Sequence, residues 1–515
     1  MFRRLKATKD TYITNKIIDN SFRATDANTG QAATLDLFKL YNENSISGES
    51  KPIELTRLLV KFNLDPLRNL TGSILDISDS TFKCTLKLTD VYGGQTVPSN
   101  FKVIVFPLSQ SFDEGVGRDV IKFQDIDTTN FITASISGDS AVKWFHSGAN
   151  KQGLLGSEDI DIISSGNLRD GNGVANIWKE QTFGAGTENL SIDITTIVSA
   201  TIAGQIPDHG LRISFSGTQE TDAKTRFVKR FASRNSQKES SRPVIEVAYD
   251  DTLQDNSKDF FFNLTGSVFL NNFERGEPAN LVSGSALARI TGSNSLLLEL
   301  VTGSFSRYYT ASQASHGNNF VTGVYSSSFA FDTFGSSSLG VHVKNTVEDF
   351  IRDSGSVKFD AYWQSIDMSV AYLTSSLTIN RLDPTAFDND PIRFIVNITN
   401  LQDVYPVNQK VRLRFVAFDA EEKVNATKVP LYRTSEILPK SYYRIKDHFS
   451  EEIIVPFGDT DNSTLMSTDS EGMYFDIYTE DFPIGRVYSF DVLIKNRGTS
   501  QVFENVGGTF RVESQ

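Results

Sequence analysis

Residues 56–67 read TRLLVKFNLDPL. From Leu58 to Phe62 the chain is almost continuously apolar, Arg57 stands immediately before the run, and Asn63, Asp65 and Pro66 close it. A short apolar run bounded by turn-forming residues is the pattern of a sandwich strand. The same pattern recurs outward from it in KCTLKLTDV (83–91), FKVIVFPL (101–108), LRISFS (211–216) and PVIEVAY (243–249). Two apolar sheet faces must bury each other, so residues 1–250 are expected to form a jelly-roll-like β-sandwich.

Within this block, 116–190 is looser and predicts long loops, while SIDITTIVSATIAG (191–204) places Ile194, Ile197 and Val198 at helical spacing after a candidate cap, Asp193. The polar, aperiodic DDTLQDNSKD (250–259) reads as a linker. A second β domain is expected over 260–383, rich in Gly and Ser, with strands at LLLELV (296–301), FDAYW (359–363) and SVAYLTSSLTI (369–379). VHVKNTVEDFIRD (341–353) has the spacing of an amphipathic helix. After the punctuation NRLDPTAFDNDP (380–391), about seven strand patterns over 384–515 predict an immunoglobulin-like sandwich without a disulfide. The fold class is all-β.

The chain of 515 residues carries a formal charge of -13, which argues against displacing counterions from nucleic-acid phosphates. No stretch approaches the roughly 20 apolar residues that span a bilayer, so no membrane insertion is expected. The single cysteine, Cys84, rules out an intrachain disulfide framework and reads as a small buried hydrophobe on a strand. Arg3, Arg4 and Lys6 open the chain without the apolar run of an export signal, which predicts assembly in a cytoplasm.

Catalytic motifs are weak. His146, His209, His316, His342 and His448 are scattered without zinc-ligand spacing, and EGVGRDV (114–120) lacks the strand-to-helix setting of a phosphate cradle. Acidic stretches occur at SEDIDI (157–162), RDGNG (169–173), FDNDP (387–391) and GDTDNSTLMSTDSEG (458–472). Asp459, Asp461 and Asn462 supply hard oxygen atoms of the kind that bind Ca²⁺, although they do not follow an EF-hand. Sequons such as Asn69 and Asn263 read as chance matches. No catalytic residue, cofactor or definite metal site is assigned.

Taken together, DTYIT (10–14), AATLDLF (32–38), TRLLVKFNLDPL, KCTLKLTDV, SFDEGVG (111–117), Trp144 with the following SGANKQG, LSIDITTIVSA (190–200) and the terminal FASRNSQKESSRPVIEVAY (231–249) are similar, in order, to the bacterial DNRLRE β-sandwich family. That resemblance implies a jelly-roll-like sandwich and, more distantly, sugar binding. STLMSTDSEGMYFDIYTEDFPIGRVYSFDVLIKNRG (463–498) resembles the immunoglobulin-like modules of virion proteins of T4-like tailed phages. The pair of resemblances implies a non-catalytic virion protein of the tail, baseplate, neck or fibre-attachment region. Its expected partners are other virion proteins in multiple symmetric copies, met in part through the basic arm at residues 3–6. The alternative, a carbohydrate-binding adhesin for host glycans, predicts an aromatic platform drawn from Trp144, Trp178, Tyr92 and Tyr362, whereas the strand-like residues beside Trp144, Trp178 and Trp363 favour packing of the tryptophans in the core. An enzyme acting on host polysaccharide would instead need convergent carboxylates in a groove.

Overall fold

The computed structural model describes residues 1–514 except 123–124, 169–173, 285–286, 304, 332–354, 382–391, 422–434 and 497. The helix expected at 341–353 and the acidic stretches at 169–173 and 387–391 lie outside the described residues. The chain forms two compact units: an N-terminal unit of Arg3–Asn69 and Phe82–Val247, and a C-terminal unit of Met1–Phe2, Leu70–Thr81 and Ala248–Gln515.

The principal strands of the N-terminal unit are β1 (Phe2–Thr14), β2 (Thr34–Tyr41), β3 (Ile53–Phe62), β4 (Lys83–Leu88), β5 (Phe101–Pro107), β6 (Lys179–Phe183), β7 (Leu190–Asp193), β8 (Leu211–Phe215), β9 (Arg226–Ala232) and β10 (Val244–Ala248). They join in the order β6-β5-β8-β3-β1-β10-β4-β7, with β2 and β9 branching from β3. The branch arises because β3 pairs with β2 over Ile53–Leu55 and with β1 over Thr56–Phe62, so one strand serves both layers of the sandwich. The two ends of the path are tied by Gln181, whose Nε2 donates to the Asn189 carbonyl (2.9 Å) and whose Oε1 accepts from the Ser191 amide (2.7 Å). The core that the alternation of these strands predicts is present: Phe101 stacks on Phe183 at 4.8 Å and meets Phe215 edge-on. The expected helix is Thr195–Ile202, but its N-cap is Ile194, which supplies no side-chain bond; Asp193 closes the preceding strand, and its Oδ1 accepts from the Thr195 amide at 2.8 Å.

The glycines of EGVG have a structural explanation. Asn28, fully buried, donates to the carbonyls of Glu114 (2.9 Å) and Thr129 (2.8 Å) and accepts from the amides of Gly30 (3.1 Å) and Gly117 (2.8 Å). The backbones approach so closely that a Cβ on Gly117 would stand 2.1 Å from the Asn28 carbonyl oxygen. Gly117→Ala is therefore expected to lower the stability of the N-terminal unit by about 1–3 kcal/mol through overpacking, measured by urea unfolding.

The N-terminal basic arm is a correction to the sequence reading. β1 begins at Phe2, Arg3 is buried, Lys6 pairs with Glu239 at 2.9 Å and Arg4 approaches Glu246 at 3.8 Å. These side chains are engaged within the unit, because the strand they begin runs in the sheet rather than away from it.

In the C-terminal unit, residues 260–380 supply β11 (Phe260–Phe261), β12 (Thr265–Asn271), β13 (Leu296–Thr302), β14 (Phe305–His316), β15 (Asn319–Ala330), β16 (Ser356–Gln364) and β17 (Ala371–Asn380), in the order β11-β17-β16-β13-β14-β15-β12. The first and last strands of this path are neighbours in sequence, and Phe260 of β11 stacks on Phe329 of β15 at 4.7 Å, so the sheet is rolled over a phenylalanine-rich core.

Residues 394–513 form two packed sheets. One joins Phe394–Ile398, Lys410–Asp419, Gly472–Tyr478 and Ser467–Asp469, and the other joins Val404–Pro406, Thr499–Glu513, Val487–Asn496, Ser441–Asp447 and Ile453–Val455. Val404–Pro406 runs parallel to the final strand, and the buried Tyr488 hydroxyl donates to the Pro483 carbonyl at 2.7 Å. A tyrosine bonding back to the preceding corner is an immunoglobulin-fold device. The two sheets are packed through aromatic side chains, Phe475 of the first stacking on Tyr443 of the second and meeting Phe490 edge-on.

The segment 250–259 is not a free linker. Thr468 donates its amide to Leu253 (2.8 Å), Asp255 donates its amide to Thr468 Oγ1 (2.7 Å), and Asn256 exchanges bonds with Ser267. These bonds are made mostly by the segment's backbone, which no side-chain periodicity reports; among them only Asn256 contributes a side-chain atom, its Oδ1 accepting from the Ser267 amide at 3.0 Å.

Candidate functional site

Arg57, singled out in the sequence by its place before the apolar run, is buried in β3. Its Nε and Nη2 donate to Glu220 at 3.0 and 2.8 Å, a bidentate fork, while Nη1 donates to the Gly148 carbonyl at 2.6 Å. Glu220 ends the short turn Gly217–Glu220 that follows β8. Arg212, on β8 itself, reaches Glu220 at 3.4–3.5 Å with its guanidinium over the Phe106 ring. Asp161 lies in the same electrostatic neighbourhood. Its oxygens accept from Gln110 Nε2 (2.9 Å) and from the amides of Phe145 (2.8 Å), His146 (3.0 Å) and Lys151 (2.8 Å). Trp144 backs the cluster and donates its indole N–H to the Asn130 carbonyl at 2.9 Å.

The electrostatics define what this constellation can do. Burial pushes the Glu220 carboxyl upward, but the Arg57 and Arg212 guanidiniums outweigh it and hold the group below its ordinary range. Burial, reinforced by Arg57, pushes Arg212 downward. A carboxylate locked between two guanidiniums is a poor general acid, and one saturated by four N–H donors, as Asp161 is, has no lone pair left for a cation. The cluster therefore works as a fastener between loops and sheet centre. Lys229 is a second such element: fully buried, it pairs with Asp90 and donates to the carbonyls of Gly186 (2.9 Å) and Glu188 (2.8 Å). Nothing local in the sequence announces Glu220 or Lys229, since their partners Arg57 and Asp90 are distant along the chain, and Arg212 joins the cluster only because the turn after β8 brings Glu220 back to it.

The other sequence candidates separate. In the 458–472 loop, Asp461 accepts from the Ser463 amide and hydroxyl (3.0 and 2.7 Å), Asp459 pairs with Lys495 (2.7 Å), and Asn462 donates to Asp250 (3.1 Å). Among the described residues no three His, Cys, Asp or Glu side chains converge as a metal site. Cys84 is fully buried and burial pushes its thiol upward. The four-residue aromatic platform is not assembled: Trp144 is buried, Trp178 is packed against the same cluster, Tyr92 is exposed on a turn, and Tyr362 belongs to the other compact unit. The tryptophans went inside because each flanks a strand whose apolar face they complete. Trp363, on β16, is buried as well.

No family model matches the chain, and no curated protein matches it. Among solved structures, the tandem Ig repeats of Dlar align over 50% of this chain and 93% of that chain at 11% identity, with a TM-score of 0.14. The N-terminal Ig1-2 module of the Drosophila receptor protein tyrosine phosphatase DLAR aligns over 51% of this chain and 95% of its own at 9% identity and a TM-score of 0.14. A putative membrane anchored protein from Corynebacterium diphtheriae covers 100% of this chain and 97% of its own at 8% identity and a TM-score of 0.15. Scores this low carry no argument; the immunoglobulin-like character of residues 394–513 rests on their strand pairing and on the Tyr488 corner.

Proposed function

We propose that this chain is a non-catalytic structural protein of a tailed-phage virion, assembled in the host cytoplasm and acting through protein–protein interfaces in the tail, baseplate, neck or fibre-attachment region. The observation that carries the reading is the excursion between β5 and β6, where Val116, Ile121, Ile126, Ile132, Ile136, Val142, Phe145 and Leu154 are all exposed. These eight exposed apolar side chains supply area for a partner to cover, and partner surfaces are built from such area where it is contiguous. The resemblances of residues 10–249 to the DNRLRE sandwich and of 463–498 to phage immunoglobulin-like modules support the same reading, and the charged clusters of the N-terminal unit are committed to holding loops in place.

The test is incorporation into particles. Phage particles carrying the native chain are expected to show it by cryo-electron microscopy in several symmetric copies. A chain with Ile121→Asp and Phe145→Asp is expected to fold, with an unchanged unfolding midpoint, and to be missing from particles. A native chain that is monomeric and never found in particles would refute the reading.

A further inference from the structure

The rolled sheet of residues 260–380 carries a row of side chains whose chemistry the fold does not use. Glu299 on β13 stands directly opposite Tyr308 on β14 and opposite Tyr362 on β16, and Tyr362 stands opposite Thr374 on β17. Partners in an antiparallel ladder share a face, and this row lies on the outer one. The residues on either side of it along the strands, Leu298, Leu300, Ala361 and Trp363, are buried in the core. Tyr308 and Tyr362 are therefore separated by two strand spacings, about 10 Å. Tyr308 is 47% exposed.

Glu299 is held in place by neutral partners. It accepts from the Ser306 hydroxyl at 2.5 Å and from Gln364 Nε2 at 3.2 Å, and the Tyr308 hydroxyl also bonds to it. Exposed Asp360, Thr374 and Ser376 extend the polar part of the same face. Outward positions of a sheet that faces only water are ordinarily polar throughout; here two aromatic rings flank a carboxylate oriented by hydroxyl and amide groups.

We propose that this face binds a neutral polysaccharide chain laid across the strands, with sugar rings stacked on Tyr308 and Tyr362 and sugar hydroxyls donating to Glu299 and Asp360. The charge pattern selects the occupant. An apolar protein surface would strip water from Glu299 and Asp360 and give no donor in return. An anionic polymer would be repelled by both carboxylates, against the single exposed lysine, Lys358, that β16 adds to the same face. A polyhydroxylated neutral chain supplies an apolar ring face for each tyrosine and O–H donors for the acids, and a spacing of about 10 Å accommodates two rings of one chain. The inference stands apart from the virion reading and holds whether or not the chain is a particle component.

Isothermal titration of the full chain with cellotetraose, chitotetraose and maltotetraose tests it. At least one tetrasaccharide is expected to bind at millimolar concentration or below. Tyr308→Ala and Tyr362→Ala are each expected to weaken that binding by about tenfold, the size of one lost aromatic stack. Tyr92→Ala, an exposed tyrosine of the other unit, is expected to leave it unchanged. Fluorescence of Trp363, which lies beneath the row, read in a background of Trp144→Phe and Trp178→Phe that removes the other two tryptophans, reports whether each variant keeps the sheet. No binding by any of the three, or binding that survives Tyr308→Ala with Tyr362→Ala in a chain that keeps the Trp363 signal, overturns the proposal.

Discussion

Arg57→Leu is expected to lower the stability of the N-terminal unit by about 3–5 kcal/mol. The arginine is buried, and its removal strips Glu220 of its bidentate partner, leaving the longer contact to Arg212 at 3.4–3.5 Å and the Ser214 hydroxyl, and leaves the Gly148 carbonyl without its donor. An uncompensated buried carboxylate is far costlier than a well-packed apolar replacement of the whole pair. The double variant Arg57→Leu with Glu220→Leu should accordingly recover part of the loss, so the two substitutions will not add. Urea unfolding followed by Trp144 and Trp178 fluorescence measures both. A cost below about 1 kcal/mol for Arg57→Leu would place the pair with ordinary surface ion pairs and sink the fastener reading.

The same pair marks how far the sequence can be read. Arg57 stands out because it immediately precedes an apolar run whose length and boundaries announce a strand, and the strand is there. Glu220 does not stand out, because it is one acid among many and its partner lies 163 residues away. Local periodicity reports which face of a strand is buried, but it cannot report which distant turn will supply a counter-charge. The failure at 250–259 has the same origin: the backbone of Leu253 and Asp255 pairs with Ser467 and Thr468 and Asn256 pairs with Ser267, and a polar run held in this way looks, along the chain, like solvated linker. The tryptophans invert the case, since an exposed platform and a buried anchor beside a strand have identical local sequence. Tyr308 and Tyr362 become neighbours of Glu299 only through strand register, which no local pattern around Tyr362 reports.

Asp10 carries the second large effect, and it is one of pH. The residue begins the DTYIT stretch of β1 and is buried, with the Arg234 amide donating to Oδ2 at 2.6 Å and Oδ1 without a partner among the described residues. Burial raises its carboxyl from 3.8 to about 7; the bond from Arg234 opposes the shift and the nearby Glu114 carboxylate adds to it. The folded unit thus holds this proton more tightly than the unfolded chain does. The stabilisation that follows is fully present below the unfolded value near 3.8 and is lost as pH rises through the folded value near 7. Across that window the loss amounts to at most about 4 kcal/mol. Asp10→Asn keeps an oxygen for the Arg234 amide and removes the charge that burial penalises. At pH 8 the variant is expected to unfold at higher urea than the native chain, and the advantage should shrink steadily to nothing as pH falls to 4. Subtracting the two urea series isolates Asp10 from every other titrating group. Parallel pH profiles for the two chains would mean that Asp10 is ionised in the folded unit at neutral pH, with its charge satisfied by Arg234 after all.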